Sequence, residues 1–366
     1  MLISVLTFLI VLSILVRVHE FGHFIASRRA GVWVEEFGFG LPPRVLGKKI
    51  GETIYSINLL PFGGFVRLHG ENTEEEITNS DRAFLHKGKF QRLVIILAGV
   101  FMNFALAIFA FSIVYSFSGI PRESENVHVI EIREGSPADI SGLKVADIVK
   151  DINGKTIKSN SDLISLVDEK QGEEISITIL RDGETRSFKA IPRSDPPEGE
   201  GALGVLISNI ELYYPPIWQR PFIGVYYGFK EAIFWGQIVL TGFFQIFKDL
   251  FIGVVPKDVA GPVGIFALTS QAAKFGALSL INFLGVLSVN LAILNAMPFP
   301  ALDGGRLLFI AIESLFGRKV VPRVEHLVHT VGMIILILLI LAVTAHDIQK
   351  LVTGGGIAGY IETVLK

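Results

Sequence analysis

The chain has no cysteine in 366 residues and few charges, because lysine, arginine, aspartate and glutamate make up only 19% of it. Without cysteine there is no disulfide framework, no thiolate nucleophile and no thiolate ligand, so any zinc site must use histidine or carboxylate groups. The formal net charge is −2 and no concentrated basic face appears, so we expect no nucleic-acid partner. Half of the residues are hydrophobic and the mean hydropathy is +0.53, which predicts an integral membrane protein in a lipid bilayer.

Four apolar stretches are long enough to cross a bilayer as helices. The first, Met1 to Ala26, lacks the basic n-region and the cleavage site of a secretory signal, so we interpret it as a retained spanning helix that ends near Arg29. Lysine and arginine are dense from there to Arg92, and the positive-inside rule assigns this segment to the cytoplasm. We therefore expect both termini and the polar segment after the second helix to be extracytoplasmic.

The predicted organisation consists of these four helices and the segments between them. In chain order it comprises transmembrane helix 1 (1–30), a β-hairpin with a cytoplasmic loop (31–89), transmembrane helix 2 (90–118), an inserted α+β domain (124–209), an amphipathic interfacial segment (218–277), transmembrane helix 3 (278–306), transmembrane helix 4 (324–345) and a C-terminal tail (346–366).

The sequence HEFGH, from His19 to His23, lies near the inner end of the first predicted helix. Two histidines four positions apart share one face of a helix, so both imidazoles can face one metal ion, with Glu20 beside them as a general base. Ionisable groups inside an apolar helix are costly unless they are paired or bind a metal, which favours a functional site. The alternative is that both histidines are core residues paired within the protein.

The candidate third ligand is Asp303, in the stretch NAMPFPALDGG from Asn295 to Gly305. Its two prolines interrupt helical hydrogen bonding, which a membrane protein tolerates where protein or a water-filled cavity satisfies the freed carbonyls. A catalytic zinc usually has three protein ligands, and the two histidines with Asp303 would supply them for peptide hydrolysis. Asp303 can instead be a helix cap, and Asn295 either contacts the substrate or caps the broken helix.

Glycine-rich corners surround the alternating run Thr53 to Leu59 in the stretch between Phe37 and Leu68. This alternation of aromatic and β-branched residues predicts short antiparallel strands. An exposed edge there can bind an extended peptide by strand addition, although an ordinary cytoplasmic hairpin explains the pattern equally well. The acidic stretch Glu71 to Asp81 is predicted to be a solvated loop. In the second helix, Asn103 is interpreted as a packing residue, with support for the site as the alternative.

Polar and charged residues return between 124 and 209, where strands flanking a helix at Asp162 to Lys170 predict an α+β insert. Its motifs GSPA (135–138), GL (142–143), DIV (147–149) and ING (152–154) resemble the bacterial PDZ signature, although Ala146 stands where glycine is usual. In the circularly permuted form that this resemblance suggests, the backbone of Gly201, Leu203 and Gly204 would bind a peptide C-terminus. A domain that only gates access to the site is the other interpretation.

The stretch from Trp218 to Leu250 is apolar but carries polar residues at spacings of three or four, which is typical of an amphipathic helix. If it spanned the membrane, Asp303 would reach the outer surface, too far from His19 and His23 to share a metal. We therefore expect it to lie on the outer interface. Ala260 to Gly264 is interpreted as a turn before the third helix.

The chain resembles the site-2 protease family of zinc intramembrane metalloproteases. The resemblance rests on HEFGH, on Ala98-Gly99 with Asn103, on the PDZ-like insert and on Asn295 to Gly305, and it covers nearly the whole chain. The branch it resembles is the bacterial regulator-of-sigma-E proteases. One PDZ insert stands where that branch commonly has two, Val100 replaces a usual proline, and Arg17 adds a charge beside the site.

The resemblance implies that His19, His23 and Asp303 bind one zinc ion, that Glu20 is the base and that Asn295 contacts the substrate. It also implies that Phe37 to Leu68 is a cytoplasmic-side, membrane-re-entrant β-hairpin that clamps the substrate strand, with contacts expected at Gly38, Gly40, Ile54 and Ser56. The expected substrates are single-pass membrane proteins, such as anti-sigma factors or signal-peptide remnants, in the bacterial inner membrane.

Two other classes of function remain possible from the sequence. A catalytically inactive, membrane-anchored PDZ adaptor would have the same domains, but its output would not depend on Glu20. A transporter would use the buried polar residues as an ion path, although four spans and one large outer domain argue against inverted repeats.

Overall fold

The computed structural model describes residues 2–71, 77–197, 199–252, 260–317, 321–353 and 359. The chain divides into two compact units. The helical unit consists of Met1–Phe117 with Ile217–Lys366, and the inserted unit is Ser118–Pro216. The inserted unit is wider than the predicted 124–209, because its first and last strands extend beyond those limits.

Among the described residues, four helices are long and apolar enough to cross a membrane, as many as the sequence predicts. They are α1 (Leu2–Arg29), α2 (Lys89–Ser118), α7 (Ala277–Ala296) and α9 (Pro322–Thr353). The last continues to Thr353, so the prediction of a tail from 346 was wrong for its first eight positions, which continue the helical pattern of α9. Apart from residue 359, the rest of that tail lies outside the described residues, as does 72–76 of the predicted cytoplasmic loop.

The β-hairpin between α1 and α2 consists of β1 (Val34–Ile50) and β2 (Thr53–Leu68), each of which folds back on itself. Phe37 pairs with Tyr55 on one side and with Val66 on the other, and Tyr55 also pairs with Lys48. The arms therefore lie in the order 46–50, 53–57, 34–39 and 64–68. Gly40 and Gly63 have φ of 78° and 79° at the bends, a conformation that favours glycine. The arm 64–68 is one edge of this small sheet.

Three further helices lie in the described part of the helical unit; the first was expected from the sequence and the other two were not. Helix α5 (Arg220–Phe251) covers most of the predicted amphipathic segment, of which 253–259 lies outside the described residues. Helix α6 (Pro262–Lys274) begins inside the predicted turn at 260–264, because proline fits the first position of a helix, where its missing N–H is not needed. Helix α8 (Asp303–Phe316) begins after the proline break, so the predicted third span is two helices.

The inserted unit is an antiparallel sheet covered by two short helices, α3 (Pro137–Ser141) and α4 (Asn160–Asp168). The strands lie in the order β7-β6-β4-β3-β8, with β5 paired to β4, and β8 is an edge. Alternating residues of several strands, including Val127, Val149, Ile177 and Ile179, form a buried core. The strands are β3 (Ile120–Ile132), β4 (Ile148–Ile152), β5 (Lys155–Thr156), β6 (Ile175–Arg181), β7 (Glu184–Ala190) and β8 (Val205–Tyr213).

Candidate metal centre

The side chains of His19, His23 and Asp303 meet at one point of the helical unit. The two histidines lie one helical turn apart on α1, and their Nε2 atoms are 3.1 Å from each other. Asp303 Oδ2, at the first residue of α8, is 2.9 Å from His19 Nε2 and 3.3 Å from His23 Nε2. Within the described ranges, this is the one group of three or more histidine or carboxylate side chains close enough to hold a metal ion.

The dimensions of this triangle fit zinc. Zinc bonds of about 2.0–2.1 Å in a tetrahedral arrangement place neighbouring ligand atoms roughly 3.3 Å apart. One of the three separations, 3.3 Å, already has that value, and the other two, 2.9 and 3.1 Å, need to widen by only a few tenths of an ångström. His19 is buried and the other two are half-buried, so the site is sheltered while one side stays open.

Hydrogen bonds at the Nδ1 atoms orient both imidazoles for metal binding. His23 Nδ1 lies 2.8 Å from the carbonyl oxygen of Ile95 and donates to it, which leaves the Nε2 lone pair facing the centre. Asn103 Nδ2 lies 3.4 Å from His19 Nδ1, and Asn103 Oδ1 is buried without a hydrogen-bond partner among the described residues. A half-turn of this carboxamide would let Oδ1 accept the Nδ1 proton that a zinc-bound His19 carries. Asn103 therefore contacts the site and does not serve packing alone.

Two glycines let α1 and α2 approach closely enough to form the centre. A Cβ at Gly22 would lie 2.3 Å from the carbonyl oxygen of Ala98. A Cβ at Gly99 would lie 2.4 Å from His23 Nε2 and 2.7 Å from His19 Cε1, in the space that both imidazoles need. Glycine at both positions is therefore a requirement of the site as well as of helix packing.

The non-helical loop between α7 and α8 brings Asp303 to the histidines. Ala301 has φ of 77°, and a Cβ at Gly304 would overlap the carbonyl oxygen of Met297, so the loop folds tightly against the start of the helix. Because Asp303 is the first residue of α8, its carboxylate also interacts favourably with the positive end of the helix dipole. The sequence LDGG thus presents a carboxylate at a helix N-terminus.

Two ion pairs that sequence analysis missed connect α8 to its surroundings. Arg306 pairs with Glu71, whose other carboxylate oxygen accepts the Leu68 N–H, so the predicted solvated loop is wrong at Glu71. Arg92 of α2 pairs with Glu313 at 2.6 Å, and both side chains are buried. The sequence pattern does not predict either ion pair, because the two members of each pair lie more than 200 positions apart in the chain.

Glu20 lies beside the centre, where the hairpin meets α1. The Val66 N–H, on the edge arm of the hairpin, donates to Glu20 Oε2 at 3.0 Å. A cleft of about 420 Å³ opens between Glu20 and one face of the hairpin. Of the predicted substrate contacts, Gly38 and Ser56 line this cleft, whereas Gly40 and Ile54 do not.

The remaining predicted residues are not part of the metal centre. Asn295 lies half-buried in the last turn of α7, and its carboxamide makes no hydrogen bond to any residue that the structure describes. In the inserted unit, Gly201, Leu203 and Gly204 precede β8. The Gly204 N–H donates to the Gly201 carbonyl at 2.9 Å, and the Leu203 side chain is buried in the core.

Comparison with known proteins connects this geometry to an enzyme family. The family model described as Peptidase family M50 matches residues 7–339. The zinc metalloprotease RasP of Geobacillus kaustophilus is 31% identical, over 95% of this chain and 98% of that protein. The regulator of sigma-W protease RasP of Bacillus subtilis is 30% identical, over 95% of this chain and 99% of that protein. Among solved structures, the PDZ domain of the SdrC-like protein from Listeria monocytogenes is 18% identical and covers 24% of this chain and 93% of that chain, with a TM-score of 0.21.

These matches confirm the resemblance drawn from the sequence, since the family match spans both the HEFGH motif and the LDGG element that the structure brings together. The match to relatives along almost their full length covers the helical unit and the insert alike. The chain is therefore a zinc metalloprotease that belongs to peptidase family M50.

Proposed function

We propose that His19, His23 and Asp303 hold the catalytic zinc and that Glu20 is the general base of an intramembrane protease. The observation that carries this proposal is the triangle of ligand atoms, with separations of 2.9 to 3.3 Å, formed by residues far apart in the sequence. When bound, zinc polarises the scissile carbonyl and activates water at neutral pH. Glu20 takes the proton of the attacking water and delivers it to the leaving amine nitrogen.

The hairpin contact prepares Glu20 for this role. The Val66 N–H engages Oε2, which fixes the carboxylate and leaves Oε1 to take the proton. Glu20 is thus a catalytic residue and Val66 is a positioning residue.

We propose that the substrate binds as an extended strand in the cleft between Glu20 and the hairpin. A helical segment must first unwind, because a hydrogen-bonded helix cannot present its carbonyl to the centre. Gly38 and Ser56 form the wall of the cleft, and Gly64 of the edge arm lies beside Glu20, whereas the Val66 and Leu68 N–H groups of this arm are already bonded to Glu20 and Glu71. Asn295 is a further proposed substrate contact, since its carboxamide has no partner among the described residues.

The proposed substrates are single-pass membrane proteins that are cleaved within or near their membrane segment. The Bacillus subtilis relative is named a regulator of sigma-W protease, which supports membrane-bound anti-sigma factors as the substrate class. We further propose a multi-pass location in a bacterial inner membrane, with a membrane-re-entrant hairpin on the cytoplasmic side. The inserted unit and both termini would be extracytoplasmic, and α5 would lie on the outer interface.

For the inserted unit, we propose a circularly permuted PDZ domain that binds a peptide C-terminus. Strand β8 is an edge, and the loop before it carries glycines at 201 and 204, with φ of 70° at Gly204. A small cavity of about 110 Å³ lies at this loop, lined by Gly201 and Gly204 and by Arg133, which forms an ion pair with Glu131 at 3.5 Å. Titration of the full protein with peptides that end in a free or an amidated C-terminus tests this, and equal affinity for both would contradict it.

The zinc site is tested with wild-type protein and the variants Asp303→Asn and Glu20→Gln, purified in detergent. Bound zinc and cleavage of a reporter with a glycine- or proline-containing spanning segment are measured together. We expect Glu20→Gln to keep zinc and lose cleavage, and Asp303→Asn to lose both. Unchanged cleavage by Glu20→Gln would refute the role of Glu20 as the base, and absence of cleavage by the wild type would favour the catalytically inactive adaptor.

A further inference from the structure

Arg17 is a charged residue in α1 that the proposed mechanism does not use. It lies three positions before Glu20, and both residues line the cleft against the hairpin. Its guanidinium lies over the ring of Phe39, with Cζ 3.5 Å from the ring centroid. This stacking uses the flat face of the guanidinium, so its N–H groups, which lie in the plane, remain free to bind another group.

No carboxylate of the described residues pairs with this guanidinium. Glu20 itself forms no ion pair with Arg17, and its Oε2 instead accepts the Val66 N–H. The rest of the cleft wall is largely aromatic and aliphatic, including Phe37, Tyr55 and Ile57. An unpaired cation in a helix that crosses the membrane is costly, and a counter-ion that enters the cleft would remove part of that cost.

We propose that Arg17 determines substrate specificity by pairing with an acidic side chain of the substrate close to the scissile bond. The guanidinium fork matches a carboxylate with two parallel hydrogen bonds, and the stacking on Phe39 fixes the plane of the fork. This inference depends on the proposed function, because it places the substrate strand in the cleft beside Glu20.

Helix geometry sets the position of the acidic residue in the substrate. Three positions along a helix correspond to a rise of about 4.5 Å. An extended strand advances roughly 3.3 Å per residue. A substrate carboxylate that reaches Arg17 while the scissile bond lies at Glu20 therefore belongs to a residue within about two positions of that bond.

The test uses the full-length enzyme in membranes of neutral phosphatidylcholine. In a single-pass reporter, each position from three before to three after the scissile bond is changed in turn to Asp, Asn or Lys, and kcat/KM is measured. For the wild type we expect one position within two residues of the bond where Asp gives at least a tenfold higher kcat/KM than Asn. In Arg17→Gln this ratio should fall to about one, and in Arg17→Glu the preference should move to Lys.

Arg28→Gln is the matched control. Like Arg17, Arg28 belongs to α1 and lies over a phenylalanine ring, in this case Phe24, but it does not line the cleft. It should retain the wild-type preference for Asp. If no position shows a preference for Asp, or if the preference persists in Arg17→Gln, the proposal is wrong. The proposal is also wrong if two results occur together: Arg17→Gln lowers kcat/KM equally for the Asp and Asn reporters, and it does so only in membranes that contain anionic phosphatidylglycerol. That result would show that Arg17 binds a lipid headgroup.

A binding measurement separates this proposal from the proposed function. The Glu20→Gln variant should bind the Asp reporter about tenfold more tightly than the Asn reporter, and adding Arg17→Gln should remove the difference. Cleavage of the Asn reporter by the wild type but not by Glu20→Gln tests the catalytic site alone. Equal cleavage of the Asn reporter by the wild type and by Glu20→Gln, or no cleavage by either, would contradict the proposed function. Equal binding of both reporters to Glu20→Gln would contradict the role of Arg17.

Discussion

Replacing Gly99 with alanine should abolish tight zinc binding without unfolding the protein. The added Cβ would lie 2.4 Å from His23 Nε2, whereas ordinary contact begins at 3.4 Å, so the imidazole or the helix must move by about 1 Å. Metal–ligand distances tolerate only about 0.2 Å. His23 cannot rotate away freely, because its Nδ1–H is held by the Ile95 carbonyl. We therefore expect the zinc affinity to fall by at least the roughly 10–100-fold that results from losing an outer-sphere partner of a zinc ligand.

The assay is competition for zinc with a chromophoric chelator, with circular dichroism to follow the helix content. Gly242→Ala is the matched control, since it also lies within a helix and its Cβ would have no neighbour within 4 Å. Helix propensity alone favours alanine over glycine by about 1 kcal/mol, so neither variant should unfold for that reason. If Gly99→Ala binds zinc as tightly as the wild type, the close approach of α2 to the histidines is not what shapes the site.

Three further substitutions test the groups around the ligands. Asn103→Leu should lower the zinc affinity by roughly 10–100-fold in the same competition assay, and Asn103→Asp, which can accept the imidazole proton, should recover most of it. Glu313→Gln leaves the Arg92 guanidinium buried without its counter-charge, so the free energy of unfolding should fall by about 3–5 kcal/mol in denaturant titrations, and an unchanged value would contradict this. Glu71→Gln removes the ion pair with Arg306 and should lower kcat by up to roughly 100-fold with zinc content unchanged; loss of zinc would instead show that this pair holds Asp303 in place.

The apolar helices and the histidine pair of the proposed metal centre could be predicted from the sequence because their signals are local. A spanning helix is a continuous apolar run, and the spacing of His19 and His23 directly gives one helix face. Asp303 was also predicted, but from the chemistry of zinc and from the helix break, not from any local pairing signal. The structure brings its carboxylate within 3.3 Å of both imidazoles.

The features that could not be predicted depend on contacts between distant segments. The helix that begins at Asp303 was missed because the prolines at 298 and 300 predict a break in the chain but not a new helix immediately after it. Glu71 was assigned to a solvated loop because its neighbours are acidic, and only the fold brings Arg306 to it. The continuation of α9 to Thr353 was missed because polar residues after Val343 were interpreted as the end of the span, whereas a helix can extend beyond the bilayer.

The positions of the glycines explain how an apolar environment can hold the three polar side chains of the proposed metal centre in one place. Inside a membrane, helices associate through close packing rather than through the hydrophobic effect, so small residues determine where backbones approach. Gly22 and Gly99 bring α1 and α2 into contact at the level of the histidines, and Gly304 brings the start of α8 against the preceding loop. Gly22 and Gly304 let backbones pack closely beside the histidines and Asp303, whereas Gly99 leaves the space that both imidazoles occupy. The rigidity of the centre therefore comes from helix packing, and substitutions at these glycines should affect zinc binding even though none of them contributes a ligand atom.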